Sequence, residues 1–235
     1  AMTLVTITCT NPLVLSDQYI FEEGQRKQLQ VEWAIPGHDQ EASWKLPCDL
    51  ISQIGIPMAG CDVQILDDAT GDVMFQGLLT QPSYSSKKGA ITELNFIAIG
   101  YYRTLEFLKQ LVHLTYGPAD TGSSPLTQKE VVADVKEALE HILGLANQGF
   151  VTIDPALIGG SGLPLFQDTQ PFAGASAQEI LNVLAALTSY LAFPFVWQVK
   201  PRDVAGLVTP TFYFAAMESV PTYYDDSESE GTYTY

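Results

Sequence analysis

Positive charge is what this 235-residue sequence has least of: 11 Lys and Arg stand against 27 Asp and Glu, for a formal net charge of −16. A surface so poor in cations repels phosphate, which argues against direct nucleic-acid binding and against anionic membranes. Only 16% of residues are charged, so the imbalance comes from missing bases more than from acidic blocks. Cysteine is scarce too. Cys9, Cys48 and Cys61 are odd in number and far apart, with no Cys-x-x-Cys pair and no His at ligand spacing. That argues against a disulfide framework or a structural zinc and for buried free thiols. Long apolar runs are missing: none reaches the ~18 to 20 residues of a transmembrane helix. The opening residues, Ala1-Met2-Thr3-Leu4-Val5-Thr6, also lack the basic start of a secretory signal. The chain therefore reads as soluble and unexported, with Ala1 set aside from the fold.

What is present is apolar content sufficient for a core, at 46% of residues, in a length that suits one large domain or two small ones. The first half alternates with period two, the pattern of half-buried strands. Val5, Ile7 and Cys9 face one way and Thr6, Thr8 and Thr10 the other; Leu29, Val31, Trp33 and Ile35 repeat the pattern until Pro36-Gly37. A hairpin joins Cys61–Leu66 to Val73–Leu79 through Asp67-Asp68-Ala69-Thr70-Gly71-Asp72, where Asp and Gly supply turn bonds and positive φ. Thr92–Ile99 adds a further strand, and Tyr84–Ala90 reads as a polar connection. Short strands of this kind close into a small barrel or sandwich.

After Gly100 the spacing of Leu105, Phe107, Leu108, Leu111 and Val112 becomes helical, and Tyr116–Pro125 reads as a loop between domains. Thr127-Gln128-Lys129-Glu130 has the form of a capping box opening a helix with an apolar stripe of Val131, Val135, Leu139, Ile142 and Leu143. Ser176-Ala177-Gln178-Glu179 is a second one, ahead of Ile180–Leu187. A hairpin follows, with Phe195–Val199 returning as Thr209–Phe214 through Arg202–Gly206. The predicted organisation is α+β: an N-terminal antiparallel β-barrel (1–112), a linker (113–126), a small α/β domain with two capped helices and a C-terminal β-hairpin (127–220), and an acidic polar tail (221–235).

Chemical motifs are weak. Gly174-Ala175-Ser176-Ala177 approaches a hydrolase nucleophile elbow, but Gln178 stands where Gly is required. His38, His113 and His141 all precede Ser176, contrary to the elbow's usual order. Gly159-Gly160-Ser161-Gly162 lacks the Lys-Ser/Thr ending of a phosphate loop. Asp67, Asp68 and Asp72 lack calcium-loop spacing, and Asp225, Asp226, Glu228 and Glu230 read as a solvated tail. His141 follows Glu140 without zinc-protease geometry. No catalytic residue, metal or cofactor is expected. Aromatics are the stronger signal: Phe195, Trp197, Phe212 and Tyr213 crowd the hairpin and Tyr223 and Tyr224 follow it, a set suited to a subunit interface. A carbohydrate platform would use similar residues.

The order of these motifs resembles the tail-hub and baseplate-hub (tail-tip) proteins of phages and of related phage-like injection machines. The resemblance rests on Val63 to Gly77, on Ile99-Gly100-Tyr101-Tyr102-Arg103-Thr104-Leu105, and on the sequence of helix, crossing, capped helix and aromatic hairpin in the second half. It implies a non-enzymatic virion component, assembled in the host cytoplasm. Such a component forms a trimer or other ring that joins the tail tube to a spike or fibre. Family members usually continue into a second barrel, to which Val220-Pro221-Thr222-Tyr223 looks like the entry, so a fragment or reduced version is expected. A carbohydrate-binding or adhesion module is the alternative reading, and a cell-wall hydrolase the third.

Overall fold

The computed structural model describes residues 5–11, 13–14, 16–34, 38–105, 114–117, 129–131, 135–146, 149–159, 163, 170–172, 174–191, 194–216 and 232–234. The chain forms two compact units. One comprises Ala1–Tyr101, Val199–Pro210 and Thr222–Tyr235, the other Tyr102–Gln198 and Thr211–Pro221. The architecture is α+β, dominated by sheet.

In the first unit, β1 (Val5–Thr10), β2 (Gln18–Phe21), β3 (Lys27–Ala34), β4 (His38–Pro47), β5 (Asp62–Asp67), β6 (Val73–Leu79), β7 (Ser83–Lys87) and β8 (Ala90–Gly100) build one antiparallel sheet. Its order is β3-β4-β8-β6-β5-β1-β2, with β7 on β8. A last strand, β14 (Thr232–Thr234), pairs with β3, so these three residues of the acidic tail join the sheet. The sheet curls into a half-barrel. Phe21, on the terminal strand β2, lies with ring centroids 5.7 Å from Trp44 on β4 and 5.4 Å from Phe96 on β8. Only curvature brings such distant positions of the order together. Trp44 and Phe96 stack at 5.3 Å, and Val5, Ile7, Leu29, Val31, Leu46, Val63, Ile65 and Leu94 complete a fully buried core around them.

The alternating residues of β1, β3 and β5 fall on the core face as their period dictates. Three strands are less visible in sequence. β4 hides its buried Ala42, Trp44 and Leu46 behind a polar start, His38-Asp39-Gln40-Glu41. β2 is short, and Tyr84–Ala90, expected as a connection, is instead β7 and a two-residue turn. Neither face of β7 is buried, so selection for an apolar pattern is absent there. Lys88 and Gly89 make the turn with φ of 53° and 81°, the conformation of a type I′ hairpin.

In the second unit, β9 (Leu114–Gly117) lies between β10 (Lys129–Val131) and β11 (Gln170–Phe172). Lys129 and Glu130 are therefore strand residues. Parallel pairing with β9 overrides the local capping signal, and the helix α2 runs from Val135 to Ala146. Of the expected stripe, Val135, Leu139, Ile142 and Leu143 are buried, with Ala138, while Val131 belongs to β10. α2 packs against α3 (Ala177–Ala186), whose Ile180, Leu181 and Leu184 are likewise buried. β12 (Phe195–Val204) and β13 (Leu207–Ala216) form the C-terminal hairpin, whose Val199–Pro210 segment belongs to the first unit and whose ends belong to the second; it turns at Ala205-Gly206 with φ of 56° and 85°. Residues 106–113, with the helical spacing noted above, lie outside the described residues. Among the described residues no helix is long and apolar enough to cross a membrane.

Candidate assembly surfaces

Ser176 has its hydroxyl committed to the backbone. Its Oγ accepts from Glu179 N at 3.2 Å, and Glu179 Oε2 accepts from Ser176 N at 2.6 Å, the reciprocal pair that starts α3. Two acids of the β5–β6 turn are also engaged. Asp67 Oδ1 accepts from Ala69 N at 2.8 Å and Asp68 Oδ2 accepts from Thr6 Oγ1 at 3.0 Å, while Gly71 takes a φ of 77°. Cys9, Cys48 and Cys61 are free thiols; Cys9 and Cys61 are buried, and that burial pushes both thiols up from their ordinary value.

The aromatic residues selected from sequence have divided fates. Trp197 and Phe212 are buried and stack at 6.1 Å, and Trp197 Nε1 donates to Asn182 Oδ1 at 2.8 Å. Phe195 is half-buried and stacks on the buried Phe214 at 5.4 Å, and Tyr213 is half-buried. Trp197 fastens the hairpin to α3, and the Trp197 and Phe212 rings are covered within the chain. Tyr223 and Tyr224 lie outside the described residues.

One polar cluster is invisible to motif reading. Asp62 and Gln64 on β5 and Gln76 on β6 point away from the barrel core, because their neighbours Cys61, Val63, Ile65 and Phe75 point into it. Asp62 accepts from Tyr101 Oη at 2.8 Å, Gln64 Nε2 at 3.0 Å and Gln76 Nε2 at 3.2 Å. Burial raises its carboxyl above the ordinary carboxylate value, the three donors only partly opposing that. Burial, and then the charge on Asp62, raises the Tyr101 phenol. Gln76 Nε2 also reaches the Val208 carbonyl at 3.5 Å, so the cluster sits under the tip of the β12–β13 hairpin. Its chemistry is that of a pin between elements. The only signal in sequence is Asp and Gln recurring at the outward positions of two paired strands.

Exposed apolar side chains are spread over the chain, Tyr190 and Leu207 among them, and some lie beside strands with a single partner. Beside β2 are Leu13 at 86%, Val14 at 46% and Ile20 at 48% exposed; on the β7–β8 hairpin are Tyr84 at 60% and Ile91 at 51%. Among the described residues β2 pairs with β1 alone and β7 with β8 alone. Open edges flanked by apolar side chains are the usual material of subunit contacts.

Comparison with solved structures decides the fold. The 43 kDa tail protein of prophage MuSo2 from Shewanella oneidensis superposes with a TM-score of 0.51 over 91% of this chain, at 8% identity. Prophage tail protein gp18 from Listeria monocytogenes EGD-e does so with a TM-score of 0.52 over 97%, at 13% identity. The fold is that of phage tail proteins. No family model matches the sequence, and no curated protein does either. The tail-protein fold is thus held here by a sequence that shares few residues with those two proteins, as expected when core pattern rather than identity specifies a fold. This chain spans 56% and 57% of their lengths.

Proposed function

We propose that this chain is a structural subunit of a phage tail tip or baseplate hub. It joins the tail tube to the spike or fibre through ring-forming contacts between copies, has its place in the virion tail, and performs no catalysis. The observation that carries the proposal is the tail-protein fold, shared over 91% and 97% of the chain with two prophage tail proteins. Open strand edges with exposed apolar side chains fit work done by contact. The commitment of Ser176, Asp67 and Asp68 to hydrogen bonds within the chain fits a protein without an acyl-transfer or metal-dependent reaction. The net charge of −16 lets DNA pass a ring without adhering to it. The partners are tube, distal-tail and spike or fibre proteins.

The test is localisation. Tailed particles carrying an epitope-tagged copy of the chain are purified and labelled with gold-conjugated antibody. Label at the distal end of the tail is expected; label confined to the head or spread along the tube, or particles without label, overturns the proposal. Incubation of the protein with purified cell wall, with no release of soluble sugar or peptide, checks the non-enzymatic part.

A further inference from the structure

Two strands of the first sheet that have a single partner among the described residues, β7 and β2, differ in charge. β7 leads into Lys87 and Lys88 at the hairpin tip, both exposed, beside exposed Tyr84. They are two of only 11 cationic residues in the chain, and neither has a carboxylate partner among the described residues. β2 starts after exposed Asp17 and is followed by Glu22 and Glu23, with the exposed Ile20 between them. The strands are similar in length, with 5 residues in β7 and 4 in β2. Each has its outer backbone groups unpaired among the described residues.

We infer that β7 of one copy docks along β2 of a second copy, adding strand to strand with Lys87 and Lys88 against the acids that flank β2. Three physical terms agree. Strand addition satisfies the open backbone groups on both sides. Tyr84 and Ile20 supply apolar contact area. Opposite charges at the ends of the two strands favour β7 on β2, while β2 on β2, with acids at both ends, is repelled. The hairpin itself has a reason to be covered, since a two-stranded element exposed on both faces is marginal alone. Because the two surfaces differ, the contact is head-to-tail: it closes into a ring when the rotation permits and otherwise propagates as a filament. The inference deepens the ring reading above by naming the surfaces that meet.

The experiment is a charge swap read by sedimentation velocity over a concentration series. Lys87→Glu/Lys88→Glu and Asp17→Lys/Glu23→Lys are each expected to raise the apparent dissociation constant for self-association by at least about tenfold. An equimolar mixture of the two variants is expected to recover association, because each then offers the surface the other lacks. Far-UV circular dichroism and the thermal midpoint check that both variants fold. Should a reversal prevent folding, the neutral pair Lys87→Gln/Lys88→Gln weakens association in the same direction. A wild-type chain that stays monomeric throughout the series, variants that associate as wild type does, or folded variants whose mixture recovers nothing each overturn the inference. The outcomes separate the two proposals. Association untouched by the swap removes this contact and leaves the tail role standing; a working swap with no label at the tail end does the reverse.

Discussion

At the scale of single residues, Asp62 shows how a buried acid couples stability to pH. Its carboxyl is raised by burial, so the folded chain binds that proton more tightly than the unfolded chain. The stability contributed by the protonated form is present at low pH and is lost as pH rises from the ordinary carboxylate value through the raised one. Asp62→Asn removes this dependence. We expect the urea midpoint of the wild type, relative to the variant, to climb as pH is lowered from neutrality to about pH 4; parallel curves would refute the assignment. Gly77 is set by space. It pairs with Gly100, and a Cβ there would strike the Ile99 carbonyl oxygen and come within 2.8 Å of the Phe75 ring. Gly77→Ala should cost on the order of 2 kcal/mol or more, as overpacking against backbone does, and the shift in denaturation midpoint measures it.

Elements show where local signals prevail and where they do not. Ser176 and Glu179 start α3 as the spacing in sequence dictates, since nothing in the tertiary structure competes for those residues. Ser176→Ala should destabilise the chain by about 1 kcal/mol, and Thr at the same position should retain most of the cap. Thermal unfolding of the two variants side by side distinguishes capping from simple packing. Thr127-Gln128-Lys129-Glu130 carries the same signature and fails as a helix start, because Lys129 and Glu130 gain a ladder with β9. A capping box states what a segment does alone. A neighbouring strand offers more bonds than the cap and changes the outcome. β7 is the converse case: its polar residues say loop, yet the turn at Lys88-Gly89 and the ladder with β8 hold it extended.

At the scale of the whole molecule, charge governs association. The sequence isoelectric point is about 4.3, and the excess of acids makes copies repel one another at neutral pH. Lowering the pH toward 4.3 should therefore increase light scattering steeply as the net charge collapses, and solubility should return above it. Scattering that does not change between neutrality and the isoelectric point would contradict a surface dominated by carboxylates. Part of the exposed apolar surface, Leu13, Val14, Ile20, Tyr84 and Ile91, lies beside the open strands β2 and β7.

The α+β class, the β1, β3 and β5–β6 strands, the stripe of α2 and the cap of α3 were all legible in the amino-acid order, because period, turn chemistry and capping act over a few residues. The tail-protein resemblance was legible for the same reason, in the succession of local motifs. Tertiary structure alone decided which aromatic residues are spent inside: Trp197 and Phe212 look like interface anchors until their stacking and the bond to Asn182 place them in the core. It alone also assembled Asp62, Gln64, Gln76 and Tyr101, and left β2 and β7 as open edges of opposite charge. Burial and edge position depend on residues far apart in the chain, and no local pattern encodes them.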